Sequence, residues 1–325
     1  MKIRVAIVYG GRSGEHEISL RSAESIMKAM DRSKYELIEY FISKEGKWQP
    51  KPILPEPGAH PGIDVVFPVL HGTFGEDGTV QGLLELADLP YVGAGVLASS
   101  LSMDKEMMKR VCHESGLPVV EYVTLSRGSL DTAKVVSRLP FPMFVKPANL
   151  GSSVGISKVH DRSGLEKALA LAAEYDRKII VERGIAGREF ECSVLGNQGP
   201  EASFPCEVLP SREFYDYEDK YLLDQAKTQL PADLAPEKTA ELRRLAVECY
   251  RAVECEGMAR VDFLLERATD QLYINEINTI PGFTSISMYP KMWEYTGLAY
   301  PKLIDRLIDL ALERYAAKKA TKFTR

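Results

Sequence analysis

The chain has 325 residues, 45% hydrophobic and 27% charged, with 41 Lys and Arg against 46 Asp and Glu. These proportions exclude wholesale disorder, and a net charge of −5 argues against a nucleic-acid scaffold or a polybasic membrane binder. No apolar run approaches the ~20 residues that span a bilayer, and at ~100–200 residues per domain the length predicts two or three domains.

In chain order, residues 3–9 form a continuous apolar run, as expected of a parallel strand covered on both faces. The run is too short, and passes too directly into Gly10 and Gly11, for a secretion signal, so a cytoplasmic protein is expected. The following helix repeats Leu20, Ala23, Met27 and Met30 at three and four residues, and 63–70 is a second buried strand. Val80, Leu83, Leu84 and Ala87 mark the next helix, whereas 47–61, with five prolines, reads as an exposed connection. This βαβ rhythm predicts an open parallel sheet with helices on both faces over 1–103.

A second unit, 104–186, is predicted as small and α+β. It has a helix over 104–115 ending at Gly116, strands at 119–125 and 143–146, and a glycine turn 151–155 leading into a strand at 156–159. A helix through Leu165, Ala168, Leu169 and Ala172 and a strand at 178–182 complete it. The third unit, 187–325, alternates Phe190, Cys192 and Val194 with polar residues and turns at 197–200. It continues with a loop at 214–221, a long helix over 236–256, a hairpin of 259–265 and 272–277 turning near Asp270, and a closing helix over 299–318. Five cysteines without a C-x-x-C spacing predict reduced, mostly buried thiols rather than a disulfide framework or a zinc site.

Several residues are placed to do chemistry. The turn Gly10-Gly11-Arg12-Ser13-Gly14 opens a helix but lacks the G-x-G-x-x-G spacing of a dinucleotide fingerprint, and no Walker P-loop occurs. The helix start still suits an anionic or zwitterionic small molecule, and Glu15 at its mouth suits either an ammonium group or the helix dipole. His16-Glu17 is no zincin motif, because position 20 is leucine. His71, at a strand's carboxyl end, reads equally as a ligand contact or a structural hydrogen-bonding group. Arg260 and Asp262 share one face of a strand, Glu276 and Asn278 share a face of its partner, and hairpin pairing can unite all four. Asp, Glu and Asn are hard oxygen donors suited to Mg²⁺, an arginine beside them suits developing negative charge, and a cross-strand ion pair on a solvated face is the plainer reading. Lys105, Lys146 and Lys220 with the flexible glycine turn then describe a nucleoside triphosphate held between two units.

Seven segments recur together in one family's order: 10–20 (GGRSGEHEISL), 70–82 (LHGTFGEDGTVQG), 102–105 (SMDK), 145–159 (VKPANLGSSVGISKV), 214–221 (FYDYEDKY), 257–263 (GMARVDF) and 275–290 (NEINTIPGFTSISMYP). On them the chain resembles the D-alanine–D-alanine ligases of the ATP-grasp superfamily. The resemblance implies an α/β, three-domain ATP-grasp fold: an N-terminal open parallel sheet, a small central α+β domain and a larger C-terminal α+β domain with an antiparallel sheet. It implies ATP-dependent joining of two D-alanines through an acyl phosphate, for peptidoglycan precursor synthesis, by a cytoplasmic homodimer.

Carried over position by position, the resemblance places Glu15 on the ammonium of the first D-alanine, hydrogen-bonded in a triad with Ser152 and Tyr221. It places Lys105, Lys146, Ser153 and Lys220 around ATP, the adenine along Glu182, Arg183 and Ile185, and Glu189 on the ribose. Arg183 stands where lysine is common. Asp262, Glu276 and Asn278 would hold two Mg²⁺, with Mn²⁺ as a substitute, and Arg260 and the Gly282 amide would form an oxyanion hole. Ser287, Met288 and His71 would meet the second substrate. Tyr221 favours an amine nucleophile over D-lactate; a depsipeptide ligase, another ATP-grasp amino-acid ligase and a nucleotide-binding pseudoenzyme are the alternatives.

Overall fold

The computed structural model describes residues 2–152, 154–209 and 227–322. Strand β1 (Ile3–Gly10) pairs in parallel with β2 (Tyr35–Ile42) on one side and β4 (Val65–Val69) on the other. A two-residue strand β3 (Trp48–Gln49) adds antiparallel to β2, giving the order β3-β2-β1-β4. Val5 and Ile7 face one core and Ala6 and Val8 the other, the alternation that buries a parallel strand on both sides. Helix α1 (His16–Ala29) covers the first face, and α2 (Thr79–Leu86) covers the second through Val80 and Leu84. Helix α3 (Val96–Met103) links this unit to the next.

Several readings of the sequence change here. The β2 strand was not anticipated: Glu36 and Glu39, exposed on opposite faces, interrupt the apolar run that marks β1 and β4. The stretch 47–61 is not simply exposed, since it carries β3 and buries Ile53 and His60, whose Nε2 accepts from the Leu54 amide at 2.8 Å. The buried face of α1 is Ile18, Ser19, Ser22, Ala23 and Ile26, rotated from the expected stripe, and Leu20 and Met27 are only half-buried. Two serines enter the core because the polar ends of the sheet require them: Ser19 Oγ accepts from the Gly10 amide at 2.7 Å and donates to the Val69 carbonyl.

The central unit holds α4 (Lys105–Glu114), α5 (Thr132–Val136), α6 (Arg162–Tyr175) and the antiparallel sheet β5 (Tyr122–Ser126), β8 (Lys178–Arg183), β6 (Met143–Pro147), β7 (Ser157–Val159), in that spatial order. Asp104 caps α4 by accepting from the Met107 amide, and Gly116 beyond it has φ +74°, the left-handed stop expected from the sequence. The expected strand at 119–125 begins only at Tyr122, and α5 was not anticipated.

The third sheet is antiparallel, ordered β12 (Lys227–Gln229), β11 (Cys206–Leu209), β9 (Gly187–Leu195), β13 (Met258–Glu266), β14 (Leu272–Asn278), with β10 (Glu201–Ala202) also on β9. Helix α7 (Pro236–Ala252), shorter than the expected 236–256, lays Leu242, Leu245, Ala246 and Cys249 on it. Met108 and Cys112 of α4 join the same core. Helices α8 (Met288–Thr296) and α9 (Tyr300–Lys319) end the chain, and α9 packs Leu303, Ile304, Leu307 and Ile308 against Val5, Ile7, Val65 and Phe67 of the first sheet. The five cysteines are free and buried. Among the described residues no helix is long and apolar enough to cross a membrane.

Candidate active site

The carboxyl ends of β1 and β4 meet the paired strands β13–β14 and the 151–155 turn around one set of clefts. Gly10 and Gly11 turn out of β1 with φ of +94° and +95°, and a Cβ on Gly10 would lie 2.1 Å from the Ile42 carbonyl oxygen, so the turn admits only glycine at position 10. That sharp exit brings Glu15 to the N-terminal end of α1, where its Oε1 accepts from the Ser152 hydroxyl across the gap to the central unit. Two glycine backbones close on its other oxygen: a Cβ on Gly72 would stand 2.5 Å from Glu15 Oε2, and one on Gly151 3.3 Å.

His71 is buried with both ring nitrogens engaged, Nδ1 3.0 Å from the Ile280 carbonyl and Nε2 3.1 Å from Ser22 Oγ. Burial pushes its pKa down, which keeps the imidazole neutral. Ser22 also accepts from the Phe283 amide at 3.3 Å, so one hydroxyl ties α1 to His71 and to the loop after β14. Glu76 accepts from the Gly72 and Ile280 amides at 2.7 and 3.3 Å, and desolvation, with repulsion from Glu15, pushes its carboxyl up to about 8. Neither Ser22 nor Glu76 was singled out from the sequence. A polar residue at a core-facing helix position was the available signal for the first; the second had none beyond its motif.

The β-hairpin delivers the four residues that spacing had united. Arg260 is opposite Asn278 and Asp262 opposite Glu276, with a bulge between Asp262 and Phe263. Arg260 Nε and Nη2 donate to the two oxygens of Asp262 at 2.7 and 2.6 Å, and Asn278 Nδ2 donates to Asp262 Oδ2 at 3.0 Å. Burial pushes the Asp262 carboxyl up to about 7, opposed by Arg260 and reinforced by Glu191 and Glu276. Among the described residues no group of three or more His, Cys, Asp or Glu side chains is gathered around a metal position. The third donor expected here is an amide, Asn278, and a crowded set of desolvated oxygens beside only one arginine fits a hard divalent cation.

On the central sheet Lys146 Nζ is 2.6 Å from Glu182 Oε2 and 3.4 Å from Asn275 Oδ1, while Lys109, fully buried at 0% exposure, places Nζ 3.0 Å from Glu182 Oε1. Two cations outweigh burial and hold the Glu182 carboxyl down at about 2. Lys105 Nζ donates to the Leu150 carbonyl at 2.6 Å and stands 3.8 Å from Glu276 Oε2. Arg183 is engaged with Glu266 at 2.6 Å and Glu121 at 3.5 Å, so its charge is directed along the sheet.

Three adjoining clefts result. One of about 90 Å³ is lined by Glu15, His71, Lys105, Arg260, Glu276 and Gly282. A second of about 580 Å³ runs past Glu191, Arg260, Gly282, Ser287 and Met288. The third, about 680 Å³, lies between the central and C-terminal sheets and is lined by Lys146, Glu182, Arg183, Ile185, Glu189 and Asp262 among others. That volume falls in the range of small-molecule and cofactor sites. Ser153, Lys220 and Tyr221 lie outside the described residues; every other expected site residue lines one of these clefts.

The sequence matches the family models described as D-ala D-ala ligase N-terminus, over 4–61 and 55–94, and D-ala D-ala ligase C-terminus, over 111–309. It is 73% identical over 325 residues to the D-alanine–D-alanine ligase of Solibacter usitatus, covering 100% of both chains, and 45% identical over 362 residues to D-alanine–D-alanine ligase A of Escherichia coli strain K12, covering 99% of each. Among solved structures, the D-alanine–D-alanine ligase from Coxiella burnetii superposes with a TM-score of 0.88 at 39% identity, over 98% of this chain and 96% of that one. The VanG D-Ala:D-Ser ligase from Enterococcus faecalis also gives 0.88, at 34% identity over 96% of this chain and 100% of that one. With both halves matched and identity sustained from end to end, the chain belongs to the D-alanine–D-alanine ligase family.

Proposed function

We propose that this chain joins two molecules of D-alanine, with ATP, into D-alanyl-D-alanine, releasing ADP and phosphate. The observation that carries the reading is the convergence of Glu15 and Ser152, from two different units, on a cleft whose far wall is Arg260, Glu276 and Gly282. A carboxylate is a poor electrophile until one of its oxygens becomes a phosphate, so the γ-phosphoryl group passes first to the carboxylate of one D-alanine. The amine of the second then attacks the acyl carbon, loses a proton, and phosphate departs. Catalysis of both steps is mostly positioning and charge neutralisation.

Glu15, supported by Ser152 and Tyr221, receives the first ammonium group. The cleft of about 680 Å³ takes the nucleotide, with Lys105 and Lys146 toward the phosphates, Glu182, Arg183 and Ile185 along the base, and Glu189 at the ribose. Ser153 and Lys220, outside the described residues, are assigned to ATP by the family resemblance alone. Asp262, Glu276 and Asn278 would hold Mg²⁺, or Mn²⁺ in its place, which would supply charge neutralisation for the transferred phosphoryl group. Arg260 and the Gly282 amide face the oxyanion. Ser287, Met288 and His71 receive the second D-alanine in the neighbouring cleft. A division into 1–103, 104–186 and 187–325, cytoplasmic residence, and a homodimer through the first unit belong to the same reading; Leu86 and Leu97, 64% and 52% exposed on adjacent helices, are the surface offered to a second copy.

The test is phosphate release from Mg·ATP against a panel of D- and L-amino acids and hydroxy acids. D-alanine alone should give both phosphate and dipeptide; no release above background overturns the proposal. The likeness to VanG makes D-serine the second nucleophile to include, and D-lactate outpacing D-alanine near neutral pH would replace the dipeptide reading with a depsipeptide ligase.

A further inference from the structure

Three acids stand in one row across the C-terminal sheet. Glu191 on β9 is opposite Asp262 on β13, which is opposite Glu276 on β14. Arg260, on the same face, is chelated by Asp262 alone: both of its close contacts, 2.7 and 2.6 Å, go to that carboxylate. Its Nη2 is also 3.4 Å from Glu191 Oε1, an ion pair but not a tight one. The other oxygen of Glu191, Oε2, is buried and has no hydrogen-bond partner among the described residues. A desolvated carboxylate oxygen without a donor is costly, and the guanidinium that Asp262 holds, 3.4 Å from the other oxygen of the same carboxylate, carries donors that could reach it.

As it stands, the arrangement occupies both groups in the wrong task for the function proposed above. A chelating guanidinium and a divalent cation compete for the same edge of the Asp262 carboxylate, and a guanidinium turned onto Asp262 is not presenting its donors to a substrate. We infer that Glu191 is a positioning residue that takes over the Arg260 guanidinium when a divalent cation binds Asp262. The exchange turns the donors of the arginine away from Asp262, along the cleft wall that Arg260 already shares with Glu191, Gly282 and Ser287. Metal binding and arginine placement are thereby linked, and the linkage is reciprocal: whatever draws Arg260 toward Glu191 tightens the metal. The inference rests on the assignment of Asp262 as a metal ligand.

The test is a double-mutant cycle on the full chain, read as the affinity for Mn²⁺ alone, with the free ion followed by electron paramagnetic resonance. Glu191→Gln should weaken Mn²⁺ about fivefold to tenfold, because Arg260 then stays on Asp262. Arg260→Met should bind Mn²⁺ more tightly than the wild type, its competitor being gone. In the Arg260→Met background, Glu191→Gln should change affinity by less than about twofold, because its partner is absent. A loss of the same size in both backgrounds would show that Glu191 acts on the ion directly and overturn the inference. So would Mn²⁺ binding unaltered by Glu191→Gln, or no Mn²⁺ binding by any of the four proteins. Should Glu191→Gln fold poorly by circular dichroism, Glu191→Asp, which keeps the charge on a shorter stem, serves instead and should fall between wild type and Gln; Mn²⁺ affinity equal to wild type overturns the inference there too. Dipeptide formation by the wild type is measured alongside, so that failure of the ligase reading is seen separately from failure of the cycle.

Discussion

Lysine 109 allows a quantitative prediction, because its charge is fully buried and its stated partner is buried as well. Its side chain is 0% exposed and that of Glu182 is 2%, with Nζ 3.0 Å from one carboxylate oxygen while Lys146 holds the other at 2.6 Å. Lys109→Met keeps the stem and removes the charge. Removing one partner of a buried pair costs about 3–5 kcal/mol when it strands the other, and because Glu182 retains Lys146 the lower figure of about 2–3 kcal/mol is expected. At roughly 2–4 °C per kcal/mol for a chain of this size, the thermal midpoint should fall by about 5–10 °C. The sign of the pH dependence follows from the same geometry. Glu182 is held down at about 2 from its ordinary 4.5, so its stabilisation is fully present above about 4.5 and is lost as pH falls toward 2. In the variant the folded value lies closer to 4.5, so that loss should be smaller and complete at a higher pH. Lys146, now alone on Glu182, is drawn toward it, so KM for ATP should rise roughly fivefold with little change for D-alanine. Lys109→Met/Glu182→Gln should not recover the midpoint, since it strands the buried Lys146 ammonium, whose 2.6 Å partner is Glu182. A Lys109→Met protein melting within a degree of wild type, with an unaltered KM for ATP, would refute the reasoning.

Gly72→Ala places a Cβ 2.5 Å from Glu15 Oε2 at φ +72°; it should raise KM for the first D-alanine while destabilising the fold by only about 1–2 kcal/mol, which steady-state kinetics and a melting curve would separate. Ser22→Ala removes the hydroxyl between His71 Nε2 and the Phe283 amide and should cost about 1–3 kcal/mol in chemical denaturation, with KM rising more for the second D-alanine than for ATP. The Glu76 carboxyl is pushed up to about 8, so this group makes the native state less stable as pH rises from about 4.5 to about 8. Glu76→Gln should flatten that slope in melting curves taken from pH 5 to 9, and an unaltered slope would remove the assignment.

Much of the site was legible because it is local. Arg260, Asp262, Glu276 and Asn278 sit at spacing of two on adjacent strands, and a period of two fixes both the face and, once a hairpin forms, the pairing. The double glycine after an apolar strand likewise announced a sharp turn into a helix, and Glu15 followed from it. The missed elements are those whose pattern is blurred by their surroundings. The β2 strand mixes exposed and buried positions on both faces, so no clean period survives. The stripe on α1 was read from its largest apolar residues, whereas Ser19 and Ser22 face inward to satisfy backbone groups of distant segments.

Local order was thus determined by the sequence alone where the pattern is clean: the strand and turn of 3–11, and which side chains of the β13–β14 hairpin share a face. Partnership at a distance was decided only by the tertiary structure. A stripe of Leu303, Ile304, Leu307 and Ile308 says that α9 must be covered, but not that the strand made by residues 3–10 covers it. Lys109 reads as one more lysine on a helix until the fold removes it from water and sets Glu182 beside it. Periodicity is a property of neighbours along the chain, while burial, charge pairing and pKa depend on neighbours in space, and those exist only once the three sheets have closed around one another.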